Sequence, residues 1–131
     1  MTLRVFLVED SAAQRTYLTH ILRTEAKVDI VGVAETEPQA IAWLARNPDG
    51  WDVVLVDLFL GEGTGAGVIE HCQERQPGQS VIVLTNHAND ANLLQHCKRL
   101  GADAVYNKAS QIDPLVAHCT LLAARTPQTA S

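Results

Sequence analysis

Three carboxylates, a hydroxyl and an ammonium stand where apolar runs of this chain give way to polar loops. Asp57 closes Val53-Val54-Leu55-Val56-Asp57 and is followed by a glycine-laden loop from Gly61 to Gly67. Leu3-Arg4-Val5-Phe6-Leu7-Val8 runs into Glu9-Asp10, and Val81-Ile82-Val83-Leu84 runs into Thr85. Asp103-Ala104-Val105-Tyr106 then delivers Lys108. A carboxylate at the end of a buried strand is costly to desolvate, so it points to a use. The set suits a magnesium-assisted phosphoryl acceptor, which needs a carboxylate nucleophile, hard oxygen ligands and groups to hold phosphoryl oxygens.

Those residues can meet only if the runs are strands of one sheet. Apolar runs alternate with amphipathic stretches along the chain, which predicts βα units around a parallel sheet. The strands are expected at about 3–8, 28–33, 53–57, 80–84 and 103–106. The first helix follows Ser11, with Gln14 completing a capping box and Leu18, Ile21 and Leu22 as its stripe. The second starts after Thr36, with Gln39 in the capping position and Ile41, Leu44 and Ala45 inward. The third is expected at about 65–75, ended by Pro77-Gly78, and the fourth at about 88–100, ended by Gly101. The fifth starts with Asp113 as N-cap and Pro114 at the first helical position. Strands three and four are nearly all apolar, as a sheet covered on both faces requires. With right-handed crossovers this is an α/β, doubly wound, five-stranded parallel sheet, and its ligands belong at the carboxyl ends of the strands.

The 131 residues make one domain by length, with 47% hydrophobic and 19% charged residues, which argues against disorder. A net charge of −5 and scattered basic residues leave no stripe for nucleic-acid phosphates. No apolar run has the length of a signal peptide or a membrane span. Cys72, Cys97 and Cys119 lack CxxC spacing and suit reduced thiols in the cytoplasm. Each follows a histidine (His71, His96, His118). A metal site is the sharp reading of these pairs and coincidence the plain one, since the topology separates the third pair from the first two. Trp43, on the second helix, is either a partner contact or a half-buried packing residue.

The ordered set of Glu9-Asp10, Asp57-Leu58, Gly65, Thr85, Gly101-Ala102-Asp103, Tyr106 and Lys108 resembles a response-regulator receiver domain, the phosphorylatable half of a two-component pair. The resemblance spans about residues 3–124. It implies a (βα)5, flavodoxin-like three-layer sandwich over 1–124 with a flexible tail over 125–131, apparently a stand-alone, cytoplasmic chain. It implies Asp57 as the phosphorylation site and Mg2+ held by Glu9, Asp10, Asp57 and the Phe59 carbonyl, with Glu9 acting mainly through water. Lys108 would pair with Asp57 at rest and with a phosphoryl oxygen afterwards, and Thr85 would bond the phosphoryl group. Thr85 moving inward would vacate room that Tyr106 fills, unless Tyr106 stays put as a core aromatic. Phe59 and His87 would tune dephosphorylation: Phe59 cannot orient a water, whereas His87 could shield the site or position one. Partners would be a sensor histidine kinase or histidine phosphotransfer protein and an unknown downstream protein, without direct nucleic-acid binding or membrane insertion.

Three positions depart from the family pattern. Gly61 stands where proline is frequent, which predicts a more mobile loop. Asn86 stands where a small residue is usual, and Ala109 replaces the proline that follows the lysine. A cis bond without proline costs about 2.5–4 kcal/mol, so a trans peptide is expected after Lys108. A haloacid-dehalogenase-like phosphatase would need an aspartate at position 59, which is Phe59. A dinucleotide fold would place Gly61-Glu62-Gly63-Thr64-Gly65-Ala66 after its first strand, whereas here it follows the third. The remaining alternative is an atypical receiver acting as a phosphorylation-independent interaction module. In either role the chain is not an enzyme, although it takes part in its own phosphorylation and dephosphorylation.

Overall fold

The computed structural model describes residues 2–125. Ten elements alternate: β1 (Leu3–Val8), α1 (Ala12–Ala26), β2 (Val28–Ala34), α2 (Glu37–Arg46), β3 (Val53–Asp57), α3 (Gly65–His71), β4 (Ser80–Thr85), α4 (Ala91–Leu100), β5 (Ala104–Asn107) and α5 (Ile112–Arg125). The strands pair in parallel in the order β2-β1-β3-β4-β5. The chain moves one way from β1 to β2 and the other way from β3 onward. Its switch point therefore lies between β1 and β3, whose carboxyl ends carry Glu9-Asp10 and Asp57. The expected doubly wound sheet is present.

Side chains alternate across this sheet and fill two cores. Phe6, Val8, Val54, Val56, Val81 and Val83 pack in one, with Ala40, Leu44, Val68, Ile69 and Cys97 of α2, α3 and α4. Leu3, Val5, Leu7, Leu55, Ile82 and Leu84 pack in the other, with Leu18 and Leu22 of α1 and Leu115 and Cys119 of α5. Burial on both faces explains the unbroken apolar runs. Trp43 is half-buried and stacks on Phe6 at 4.1 Å, with 7° between the ring planes. It packs from above Gly32, the residue opposite Phe6, where an added Cβ would lie 2.6 Å from the indole nitrogen. Of the two readings of Trp43, this placement is the packing one.

Several boundaries differ from the sequence expectation. α3 stops at His71, because the Arg75 guanidinium takes the Cys72 carbonyl at 2.9 Å and the Gly101 carbonyl at 2.7 Å, turning the chain toward β4. α4 begins at Ala91 rather than 88, since Asp90 Oδ1 accepts from the amides of Asn92 at 3.0 Å and Leu93 at 3.3 Å. α5 begins at Ile112, so Asp113 lies in its first turn and does not cap it. On α2 the buried pair is Ala40 and Leu44, while Ala45 is exposed. Arg125 ends α5, and the rest of the expected tail, 126–131, lies outside the described residues.

Asp90 thus sets where α4 starts. Asp90→Ala should cost about 1 kcal/mol and lower Tm by a few degrees, while Asp90→Ser retains most of the stability. Equal melting of wild type and Asp90→Ala would show that α4 does not depend on this cap.

Candidate functional site

The rim at the switch point brings together five of the residues that the sequence marked. Glu9 follows β1 and is 1% exposed, Asp57 ends β3 nearly buried, and Asp10 is exposed at the mouth. One carboxylate oxygen from each of these three lies within 4.8 Å of the others. Thr85, fully buried, ends β4, and Lys108 follows β5. Lys108 Nζ donates to Asp57 Oδ2 at 2.7 Å and to Glu9 Oε1 at 2.5 Å. Its side chain is 12% exposed, so the ammonium bridges two carboxylates largely out of water.

The direct Lys108–Glu9 pair was not foreseen. Glu9 is held at both oxygens, because Oε2 accepts from the Ser11 amide at 3.0 Å. The capping box expected of Gln14 is therefore half filled: Ser11 Oγ accepts from the Gln14 amide at 3.3 Å, and Glu9 supplies the return bond. Similarly, Gln39 reaches back to the Glu35 amide at 2.9 Å while Thr36 caps α2. Burial raises the pKa of Glu9, against the hydrogen bonds from Lys108 and Ser11 that lower it. Burial also opposes the Lys108 charge, but the bonds to Asp57 and Glu9 outweigh it and raise its pKa. Both shifts run upward, so both contributions decline as pH rises, each in its own range. Ionising Glu9 costs the fold stability as pH rises through its raised pKa, whereas the charged Lys108 stabilises the fold until alkaline pH.

The three carboxylates are hard oxygen donors gathered on one side of the rim, the donor chemistry that Mg2+ selects. They fit such an ion. Among the described residues no other group of three His, Cys, Asp or Glu side chains converges in this way. The His-Cys pairs do not gather. Cys72 and Cys97 lie in one core and Cys119 in the other, with the sheet between them. Burial pushes Cys72 up to about 11 and Cys119 up to about 12.

The loops flanking Asp57 are tied down. The Phe59 amide donates to Asp57 Oδ1 at 3.1 Å, and Gly65 donates to the Leu58 carbonyl at 2.9 Å. Phe59 is 53% exposed, and its ring meets His87 edge-on at 5.1 Å. The His87 amide donates to Thr85 Oγ1 at 3.1 Å. Every described peptide bond is trans, including the one after Lys108. In place of proline, the Asn107 side chain accepts from Ala109 at 2.8 Å and Ser110 at 3.1 Å. An asparagine just before a polar loop was the available signal for this turn.

Tyr106 is the correction. Register pairs Leu84 with Tyr106 and Thr85 with Asn107, so Tyr106 faces the α1/α5 core while Val105 faces the other. By the same alternation Thr85 lies on the side of Val83 and Val105. Space vacated by Thr85 would open on the face opposite the Tyr106 ring. Tyr106 instead bonds His118 Nδ1 of α5 through its hydroxyl at 2.8 Å.

Comparison with known proteins agrees with this architecture. The family model of the response regulator receiver domain matches residues 5–120. The acid tolerance regulatory protein ActR of Sinorhizobium medicae is 32% identical over 86% of this chain and 56% of its own length. The transcriptional activator DevR/DosR of Mycobacterium tuberculosis is 30% identical over 70% of this chain and 41% of its own length. The chain thus spans about half or less of the curated relatives it matches. The response regulator domain of Thermotoga maritima CheB superposes with a TM-score of 0.80 at 20% identity, covering 97% of this chain and 99% of that one. No described helix is long and apolar enough to cross a membrane.

The bridging ammonium generates a direct test. Lys108→Met leaves the buried Glu9 carboxylate without its cation and should cost about 3 kcal/mol at neutral pH in denaturant unfolding. Magnesium should return part of that loss by binding the folded state. Unchanged stability would mean that the carboxylates tolerate the rim without Lys108.

Proposed function

The chain belongs to the response regulator receiver family, and we propose that it accepts a phosphoryl group on Asp57 and passes the signal to a protein partner. The observation that carries this reading is the Lys108 ammonium between Asp57 and Glu9, with Asp10 alongside. An ammonium so placed pairs with the Asp57 carboxylate and directs it at the mouth of the site. One Asp57 carboxylate oxygen attacks phosphorus in line, the phosphorus–nitrogen bond of a donor phosphohistidine breaks, and its electron pair stays on the imidazole. Lys108 then exchanges its Asp57 bond for one to a phosphoryl oxygen, and the Thr85 hydroxyl, which accepts from the His87 amide, turns its own proton to another.

Glu9, Asp10, Asp57 and the Phe59 carbonyl would hold Mg2+, which supplies the positive charge that offsets the gathered carboxylates and the incoming anion. The donor is a sensor histidine kinase or a histidine phosphotransfer protein in the cytoplasm. The output partner is a protein, because the scattered basic residues offer no nucleic-acid surface. The phosphoryl group biases an existing equilibrium by binding one conformer better. Tyr106, on the face of β5 opposite Thr85, is not needed for that shift in this reading.

Incubation with acetyl phosphate and magnesium should add the mass of one phosphoryl group to wild type and nothing to Asp57→Ala. No mass shift in wild type would favour the phosphorylation-independent module. Phe59, exposed beside His87, offers no polar group to orient an attacking water, so the phosphoryl group should be long-lived. Phe59→Asn should shorten its life, and decay of the wild-type adduct within seconds at neutral pH would overturn this expectation.

A further inference from the structure

The loop after Asp57 is closed from outside by α2. Glu37, the first residue of α2, accepts the Thr64 amide at Oε1 at 2.8 Å, and its own amide donates to the Glu62 carbonyl at 3.1 Å. The carboxylate lies in a seat made by two glycines. A Cβ on Gly67 would overlap the Glu37 carboxylate oxygens, and one on Gly63, whose φ is +80°, would overlap the Glu37 Cβ. Phosphoryl chemistry makes no use of either glycine, and a side chain at either position would crowd Glu37 out of this placement.

From Thr64 the tie runs inward. Thr64 bridges Phe59 across the loop, and Phe59 donates its amide to Asp57 Oδ1 at 3.1 Å. Three contacts thus join the carboxylate of α2 to that of Asp57. We propose that Glu37 is a positioning residue: it latches Thr64 and so sets the Phe59 backbone against the Asp57 carboxylate. The role rests on the phospho-acceptor reading of Asp57. It also changes the meaning of the glycine-rich loop, which is small at 63 and 67 to admit a side chain from another element.

The test compares wild type, Glu37→Gln, Glu37→Ala, Gly67→Ala and the double variant Glu37→Ala/Gly67→Ala. The readouts are Thr64 amide exchange, magnesium half-saturation by calorimetry, the acetyl phosphate reaction below magnesium saturation, and Tm. Glu37→Ala and Gly67→Ala should each speed Thr64 exchange and slow phosphorylation about three- to tenfold, the worth of one net hydrogen bond. Glu37→Gln keeps an acceptor oxygen and should stay within about twofold of wild type. The double variant should be no worse than Glu37→Ala, because the added methyl then meets no carboxylate. Additive losses, or a lower Tm with unchanged magnesium binding and phosphorylation, would overturn the positioning role. A wild type inert to both magnesium and acetyl phosphate overturns the acceptor reading and this role with it. Equal Thr64 exchange in wild type and Glu37→Ala overturns the latch alone.

Discussion

Everything at the rim depends on one ammonium placed between two carboxylates. Lys108 reaches from the edge of the sheet past the end of β4 to Asp57 of β3 and on to Glu9 after β1. A buried Glu9 without that cation would be driven to protonate, because burial is the largest influence on its pKa. The pair also fixes geometry. Glu9 is held at its second oxygen by the Ser11 amide and thereby to the start of α1, and Asp57 is held at its second oxygen by the Phe59 amide. Each carboxylate therefore has one oxygen on the ammonium and one on the backbone. Asp10, exposed next to them, adds a third charge that Lys108 does not bond.

The sheet makes this convergence possible. Because the chain reverses direction of travel between β1 and β3, the loops that follow these strands diverge and leave a crevice at their carboxyl ends. That much was legible in the sequence, since two-faced burial writes strands as continuous apolar runs and the polar residue ending each run marks the rim. Asp57, Glu9, Thr85 and Lys108 were found by position in this way. Helix boundaries were less legible. Asp90 and Asp113 are both acidic residues ahead of helical stretches, and only the path of the chain makes the first a cap and places the second inside a turn.

The face of Tyr106 is legible in the sequence in principle. Side chains alternate along a strand, so the residue of β5 on the face of Thr85 is an odd number of positions from Tyr106. Nearness to Lys108 in sequence carries no information about that parity. Some side-chain partners are hidden in the sequence for a different reason. His118 bonding Tyr106 and Glu9 completing the Ser11 cap are each chemically ordinary, and no spacing distinguishes them from unused polar residues.

This leaves the question of how a change at Asp57 could reach the surface. A swing of Tyr106 into space left by Thr85 is not favoured by the sheet, because the Tyr106 ring and Thr85 lie on opposite faces. Two other connections leave the site. Thr85 Oγ1 holds the His87 amide, and His87 holds the Asp90 amide through its carbonyl at 3.0 Å, which leads to the cap of α4. The Lys108 amide donates to the Thr85 carbonyl at 3.1 Å, so the lysine loop and the threonine loop are joined through backbone. If the Thr85 side chain moves to donate its proton to a phosphoryl oxygen and draws Oγ1 away from the His87 amide, the turn from 86 to 90 loses its inner tie. The start of α4 is then the part of the surface with most reason to move.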